Sequence, residues 1–146
     1  MHVLIATDGS QQSLKAARLL GTLVNPTTLT RVSVVAVVRP LAAVPFANDF
    51  GEDAAAGAGD EPLSFRREAQ AATERVADAL REVAPQVDTL VRSGSPADEI
   101  IRAADDLGAD LIVVGGRGKG TVGAILMGSV AYRVLAHAPC PVLVTR

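Results

Sequence analysis

Asp110-Leu-Ile-Val-Val-Gly-Gly-Arg-Gly-Lys-Gly-Thr-Val-Gly-Ala-Ile-Leu-Met-Gly-Ser129, followed by Val-Ala-Tyr-Arg-Val-Leu, is the stretch on which the fold turns. Leu111 to Val114 are continuously aliphatic, which suits a strand buried on both faces. Gly115, Gly116, Gly118, Gly120 and Gly123 then crowd into a loop. Val130, Val134 and Leu135 recur at helical spacing, so Gly128-Ser129 reads as the start of a helix with Ser129 as its N-cap. A strand, a glycine loop and a helix start in that order bind phosphate. Backbone N–H groups and the positive end of the helix dipole converge there, with no Cβ in the way. The dipole alone contributes only about 0.3 to 1 kcal/mol per charge, so several convergent amides must supply the rest.

The composition narrows the class. A chain of 146 residues fits a single domain over 1–146 with a sizeable core. It is 49% hydrophobic but only 3% aromatic, so the core is aliphatic. With no Trp, one Tyr, three Phe and a net charge of -2, the chain lacks both the stacking platform and the basic surface of a nucleic-acid binder. No acidic residue follows Asp110, whereas Arg117, Lys119, Arg133 and Arg146 do, so the glycine loop lies in a locally positive segment that suits an anionic ligand. One cysteine, no leader-like start and no apolar run near the roughly 20 residues of a membrane span predict a soluble, cytoplasmic protein.

Taken from the start, Val3 to Thr7 is an apolar strand that ends in the turn and cap cluster Asp8-Gly9-Ser10. A helix follows with Ala17, Leu20, Gly21 and Val24 on one face, stopped by Asn25-Pro26. Arg31 to Val38 is the second strand. The segment of about 39–62, with three prolines, an Ala/Gly run and five acids, reads as a long mobile loop, either a solvated insertion or a lid. Phe65, Ala69, Ala72, Val76, Ala79, Leu80 and Val83 predict an amphipathic helix closed by Pro85. Val87 to Val91 is a third strand, placed at an edge by Asp88 and Arg92. Ser95-Pro96 opens a helix whose buried face is Ile100, Ile101, Ala104 and Leu107, and Gly108 ends it. Pro141 to Thr145 is the closing strand. This βαβαβαβαβ alternation predicts an open parallel α/β sheet with helices on both faces.

The loop contains Gly118-Lys-Gly120-Thr-Val-Gly123, formally G-x-G-x-x-G, but in the last quarter of the chain and with no acid after it to hold a ribose. Lys119 is followed by Gly120 rather than Ser or Thr, which excludes a P-loop. Ser129 has no base within reach for use as a nucleophile, since His137 lies about 12 Å along the same helix at 1.5 Å per residue. His137 and Cys140, beside Pro139 and Pro141, make a poor zinc pair.

The spacing that fits is Gly115-x-x-Gly118, nine residues, then Gly128-Ser129. With Ile5-Ala-Thr-Asp8-Gly-Ser10 near the start and His137-Ala-Pro-Cys-Pro-Val-Leu-Val144 near the end, the chain resembles the universal stress protein family over its whole length, in the branch with an ATP-binding loop. The resemblance implies five parallel strands in the order 3-2-1-4-5, an adenine nucleotide alpha hydrolase-like architecture, with ATP over the carboxyl ends of strands 1 and 4. It implies that Ala6, Thr7 and Asp8 line the adenosine pocket and that Val37, or Val38 one residue on, meets adenine through its backbone. Gly115, Gly116, Arg117 and Gly118 would flank ribose and phosphates, and Gly128, Ser129, Val130 and Ala131 would meet the phosphates. Relatives that bind ATP often carry Ser or Thr where this chain has Ala131, so one hydroxyl to phosphate or metal is missing.

The function these readings predict is a stress-response regulator that holds ATP, alone or with Mg²⁺, and uses occupancy as its signal. A slow ATPase or phosphoryl-transfer enzyme and an interaction module without nucleotide are the alternatives. A homodimer through residues 141–146 is expected from the apolar terminal strand.

Overall fold

The computed structural model describes residues 1–39, 61–116 and 127–145. The predicted loop of about 39–62 lies outside them apart from its two ends, as do Arg117, Gly118, Lys119, Gly120, Gly123 and Arg146.

Along the chain run β1 (His2–Thr7), α1 (Gln11–Leu23), β2 (Arg31–Val38), α2 (Glu61–Asp78), β3 (Val87–Ser93), α3 (Pro96–Leu107), β4 (Leu111–Gly115), α4 (Ser129–His137) and β5 (Val142–Thr145). The strands form one sheet in the order β3-β2-β1-β4-β5, every pairing parallel. Side chains of a strand alternate between faces, and here each face has its own helices. Val3, Ile5, Val32, Val34 and Val113 pack with Leu20 of α1 and Val76 of α2 on one side. Leu4, Val35, Ile112 and Val114 pack with Ile100 of α3 and Val134 of α4 on the other. Each fully buried Val, Leu or Ile contributes about 1.5–3 kcal/mol, so an aliphatic core suffices without aromatics.

This layering follows from handedness. Successive strands step outward from β1 to β3 on one side and from β4 to β5 on the other, and right-handed crossovers in opposite directions put their helices on opposite faces. Between β1 and β4 the direction reverses, which opens a crevice beyond their carboxyl ends.

Periodicity misjudges some faces. In α1 the buried residues are Ser13, Ala16, Ala17 and Leu20, while Gly21 and Val24 are half-buried. Helix α2 stops at Asp78, and the chain continues to Ala84 in tight turns such as Val83 N–H to Leu80 O (2.9 Å). Phe65 and Ala79 are exposed, and Thr73 and Ala77 are buried on the sheet-facing side instead. In α3, Ala97 and Ala103 share the buried face with Ile100 and Ala104, Ile101 and Leu107 being half-buried. Leu135 of α4 is 48% exposed, not part of the core. Strand β3 is the predicted edge, two residues longer than expected, and its charges are paired: Asp88 with Arg31, and Arg92 with Asp106 at 2.7 Å.

Candidate functional site

A cavity of about 340 Å³ opens at the switch point. Ala6, Thr7 and Asp8 from the end of β1 line it, with Val35 and Val37 of β2, Val114 and Gly115 of β4, Pro96 and Ile100 of α3, and the start of α4 from Gly128 to Ala131. Every predicted site residue among the described ones except Gly116 lines it, and Gly116 holds its rim. Gly116 N–H donates to Thr145 O (2.6 Å) and Gly116 O accepts from Gly128 N–H (2.8 Å), so the two ends of the glycine loop are joined. Arg117 and Gly118 lie outside the described residues.

One end of the cavity is aliphatic, formed by Ala6, Val35, Val37, Ile100 and Val114. Strand parity decides which valine presents its backbone there. Val32 N–H donates to Gln86 O and Val38 O accepts from Gly94 N–H, both toward β3, so even-numbered residues of β2 bond to β3 and odd-numbered ones to β1. Strand β1 ends opposite Ala36, and the next amide in line, that of Gly9, donates to Thr7 Oγ1 instead (3.1 Å). The backbone of Val37 therefore faces the cavity, and that of Val38 does not.

The other end is the start of α4, where the sequence reading needs correction. The N-cap is Gly128, extended at φ -62° and ψ 148°, with its carbonyl taking the first helical bond from Tyr132 N–H (3.0 Å). Ser129 is thus the first helical residue, exposed and making no capping bond. The amides of Ser129, Val130 and Ala131 have no acceptor within the helix, and no acid stands in its first turn. They are donors aimed at the cavity, and the helix dipole adds to them.

Asp8 stands at the mouth, its Oδ1 accepting from Ser10 N–H (3.0 Å) in a turn where Gly9 takes φ +75°, a conformation that favours glycine. It is the one carboxylate lining the cavity among the described residues. Arg133, counted with the positive segment, is committed elsewhere: its Nη2 pairs with Asp98 Oδ1 at 2.8 Å, tying α4 to α3. Sequence reading missed Ser13 and Arg39, which also line the cavity. Ser13 had a detectable signal, a hydroxyl on the otherwise aliphatic stripe of α1; Arg39 follows the last strand residue and had none. A second hollow of about 440 Å³ lies on the α2 side of Asp8 and Arg39, lined by Val38, Phe65, Ala69 and Ala72.

Among the described residues no group of three His, Cys, Asp or Glu is placed to hold a metal. Burial and the nearby Asp110 carboxylate push the Cys140 thiol above its ordinary range, an amide bond from Ile112 opposing them only in part. The shift makes Cys140 less thiolate-like than a free cysteine, which disfavours a nucleophilic role. No helix among the described residues is long and apolar enough to cross a membrane.

Known proteins bear the same marks. Universal stress protein MJ0531 of Methanocaldococcus jannaschii is 33% identical over 99% of this chain and 81% of its own length. A universal stress protein of Thermus aquaticus is 45% identical over 60% of this chain, a match spanning 63% of that relative's length. The solved structure of protein MJ0577, also of M. jannaschii, superposes with a TM-score of 0.79 at 25% identity, covering 99% of this chain and 94% of the other. Two more distant structures share the fold: an Archaeoglobus fulgidus universal stress protein in complex with dAMP and an Arabidopsis thaliana family protein with AMP bound. The first has a TM-score of 0.66, 20% identity and coverage of 100% and 98%; the second has 0.64, 19%, and 99% and 90%. The universal stress protein family model matches residues 1–146, and with a relative aligned over nearly the whole chain, this protein belongs to the universal stress protein family.

Proposed function

We propose that this chain is a single-domain, adenine-nucleotide-binding regulator of the stress response that holds ATP, alone or with Mg²⁺, and signals by occupancy. One observation carries the reading: a single cavity joins an aliphatic slot to an uncapped, acid-free helix start, which is what a flat base and a phosphate chain require together. In this reading adenine lies between Ala6, Val35 and Ile100 with its edge on the Val37 backbone. Asp8 meets the ribose, and the amides of Ser129, Val130 and Ala131 take phosphate, with Gly115 and Gly128 allowing close approach. Arg117 and Gly118 complete the phosphate side by position in the sequence. The dAMP and AMP bound by two relatives support the adenine class.

Mg²⁺ in such sites takes one or two carboxylates plus phosphate oxygens. Asp8 is the one carboxylate among the described cavity residues, so a bound ion would be held chiefly by the triphosphate. The same scarcity of acids and bases argues for slow turnover or none. The protein is further proposed to be cytoplasmic and to pair with a second copy along β5. Val142 and Val144 pack toward one face of that edge strand and Leu143 toward the other. A light-scattering mass of one chain overturns the pairing.

The test of the main reading is mass spectrometry of ligand released from purified protein, followed by incubation with ATP. Recovery of an adenine nucleotide, with added ATP intact after hours, supports a binding regulator; steady conversion to ADP makes the protein an enzyme. At 100 times its dissociation constant ATP should add about 2.7 kcal/mol of stability, several degrees in Tm. No shift with ATP or AMP rejects nucleotide binding.

A further inference from the structure

Thr7 and Ser13 are 6% and 2% exposed, buried hydroxyls at the wall of the cavity. Neither is free to turn. Thr7 Oγ1 accepts from Gly9 N–H (3.1 Å), and its own proton goes to Ser13 Oγ (2.8 Å). The proton of Ser13 goes in turn to the Ser10 carbonyl (2.8 Å), while Ser13 N–H approaches Ser10 Oγ (3.4 Å). Between these anchors sit Asp8 and Gly9, closed on the outer side by the Ser10 N–H to Asp8 Oδ1 bond. The turn that carries Asp8 is therefore gripped from within by a one-way chain of hydroxyls running from the strand to the first turn of α1.

A hydroxyl at position 13 is not what packing asks for. Ser13 shares its stripe with Ala16, Ala17 and Leu20, where a methyl would fill the space with no polar atom of its own to satisfy. We propose that the Thr7–Ser13 pair is a latch that fixes the angle at which Asp8 and the end of β1 meet the ligand, making Ser13 a positioning residue for adenine-nucleotide binding. This rests on the nucleotide reading above. The hydroxyl of Thr7, spent on Ser13, then acts through the turn and not on the ligand.

The rival account is that the two hydroxyls merely satisfy each other, and a pair of substitutions separates the two. Ser13→Ala leaves the Thr7 proton buried without an acceptor, whereas Thr7→Val with Ser13→Ala removes both hydroxyls and unpairs only the Gly9 N–H, which is half-buried and open to water. Urea denaturation and calorimetric titration with AMP and with ATP are run on the full chain. The double variant should be more stable than Ser13→Ala yet bind both nucleotides about 10-fold more weakly than the wild type, a 1.4 kcal/mol loss. Thr7→Ser, which keeps the hydroxyl, should recover most of the affinity that Thr7→Val loses. If Ser13→Ala does not fold, the double variant and the Thr7 pair carry the test. Wild-type affinity in the double variant overturns the latch. A wild type that binds neither nucleotide overturns the reading beneath it and the latch with it.

Discussion

Two helix starts border the same cavity, and they are built in opposite ways. Helix α3 begins with Ser95 and Pro96, has Asp98 and Glu99 in its first turn, and offers Pro96 and Ile100 to the cavity. Helix α4 begins with Gly128 and Ser129, has no acid in its first turn and no side-chain cap, and offers its amides. At α3 the proline removes one donor, and the carboxylates complement the dipole within the protein. At α4 no first-turn acid and no capping side chain does so. In the proposed reading this difference would orient the nucleotide, with its apolar part against α3 and its anionic part against α4.

The largest expected effect comes from making α4 resemble α3. Gly128→Asp supplies the missing cap, so thermal stability should hold or rise by a few tenths of a kcal/mol. The new carboxylate occupies the donors meant for phosphate, and equilibrium dialysis with ATP should show a loss of about 100-fold or more, or about 2.7 kcal/mol. Undiminished affinity would sever α4 from the ligand.

A smaller effect sharpens the same contrast. Ala131, 3% exposed at the third helical position, stands where a hydroxyl would add one more donor to the phosphate end. Ala131→Ser should tighten ATP binding about 2- to 10-fold, the equivalent of one ordinary hydrogen bond of about 0.5–1.5 kcal/mol. Calorimetry with ATP and AMP side by side reads it, and a gain for AMP alone would place that position near the α-phosphate.

The smallest effect tests the α3 side. Asp98→Asn removes a carboxylate from the first turn of α3 and releases Arg133, whose exposed pairing is worth at most about 1 kcal/mol. ATP should bind about 2- to 3-fold more tightly at low salt, with the gain gone near 1 M, where the screening length falls to about 3 Å. An affinity gain that survives high salt would show that the change acts through structure instead of charge.

Much of this was legible before any coordinates. The run from Leu111 to Val114, the glycine crowding after it and the helical spacing of Val130 and Val134 identified the strand, loop and helix of the cavity, because each signal is carried by neighbours in the chain. Failures began where a side chain's role depends on a distant partner. Arg133 counted toward the positive segment around the loop, but Asp98, 35 positions away, pairs with it. Ser129 looked like the cap, but the carbonyl that starts the helix belongs to Gly128.

What the amino-acid order alone determined was the succession of strands and helices, the aliphatic character of the core and the readiness of one helix start for an anion. These follow from hydrophobic period, glycine and capping chemistry, all set within a few residues. Only the tertiary structure decided that Val37 rather than Val38 turns its backbone to the cavity, that Ser13 grips Thr7, and that two helix starts of opposite character face each other. Register between strands and the meeting of helices across a sheet are settled by packing of the whole core, which no local pattern records.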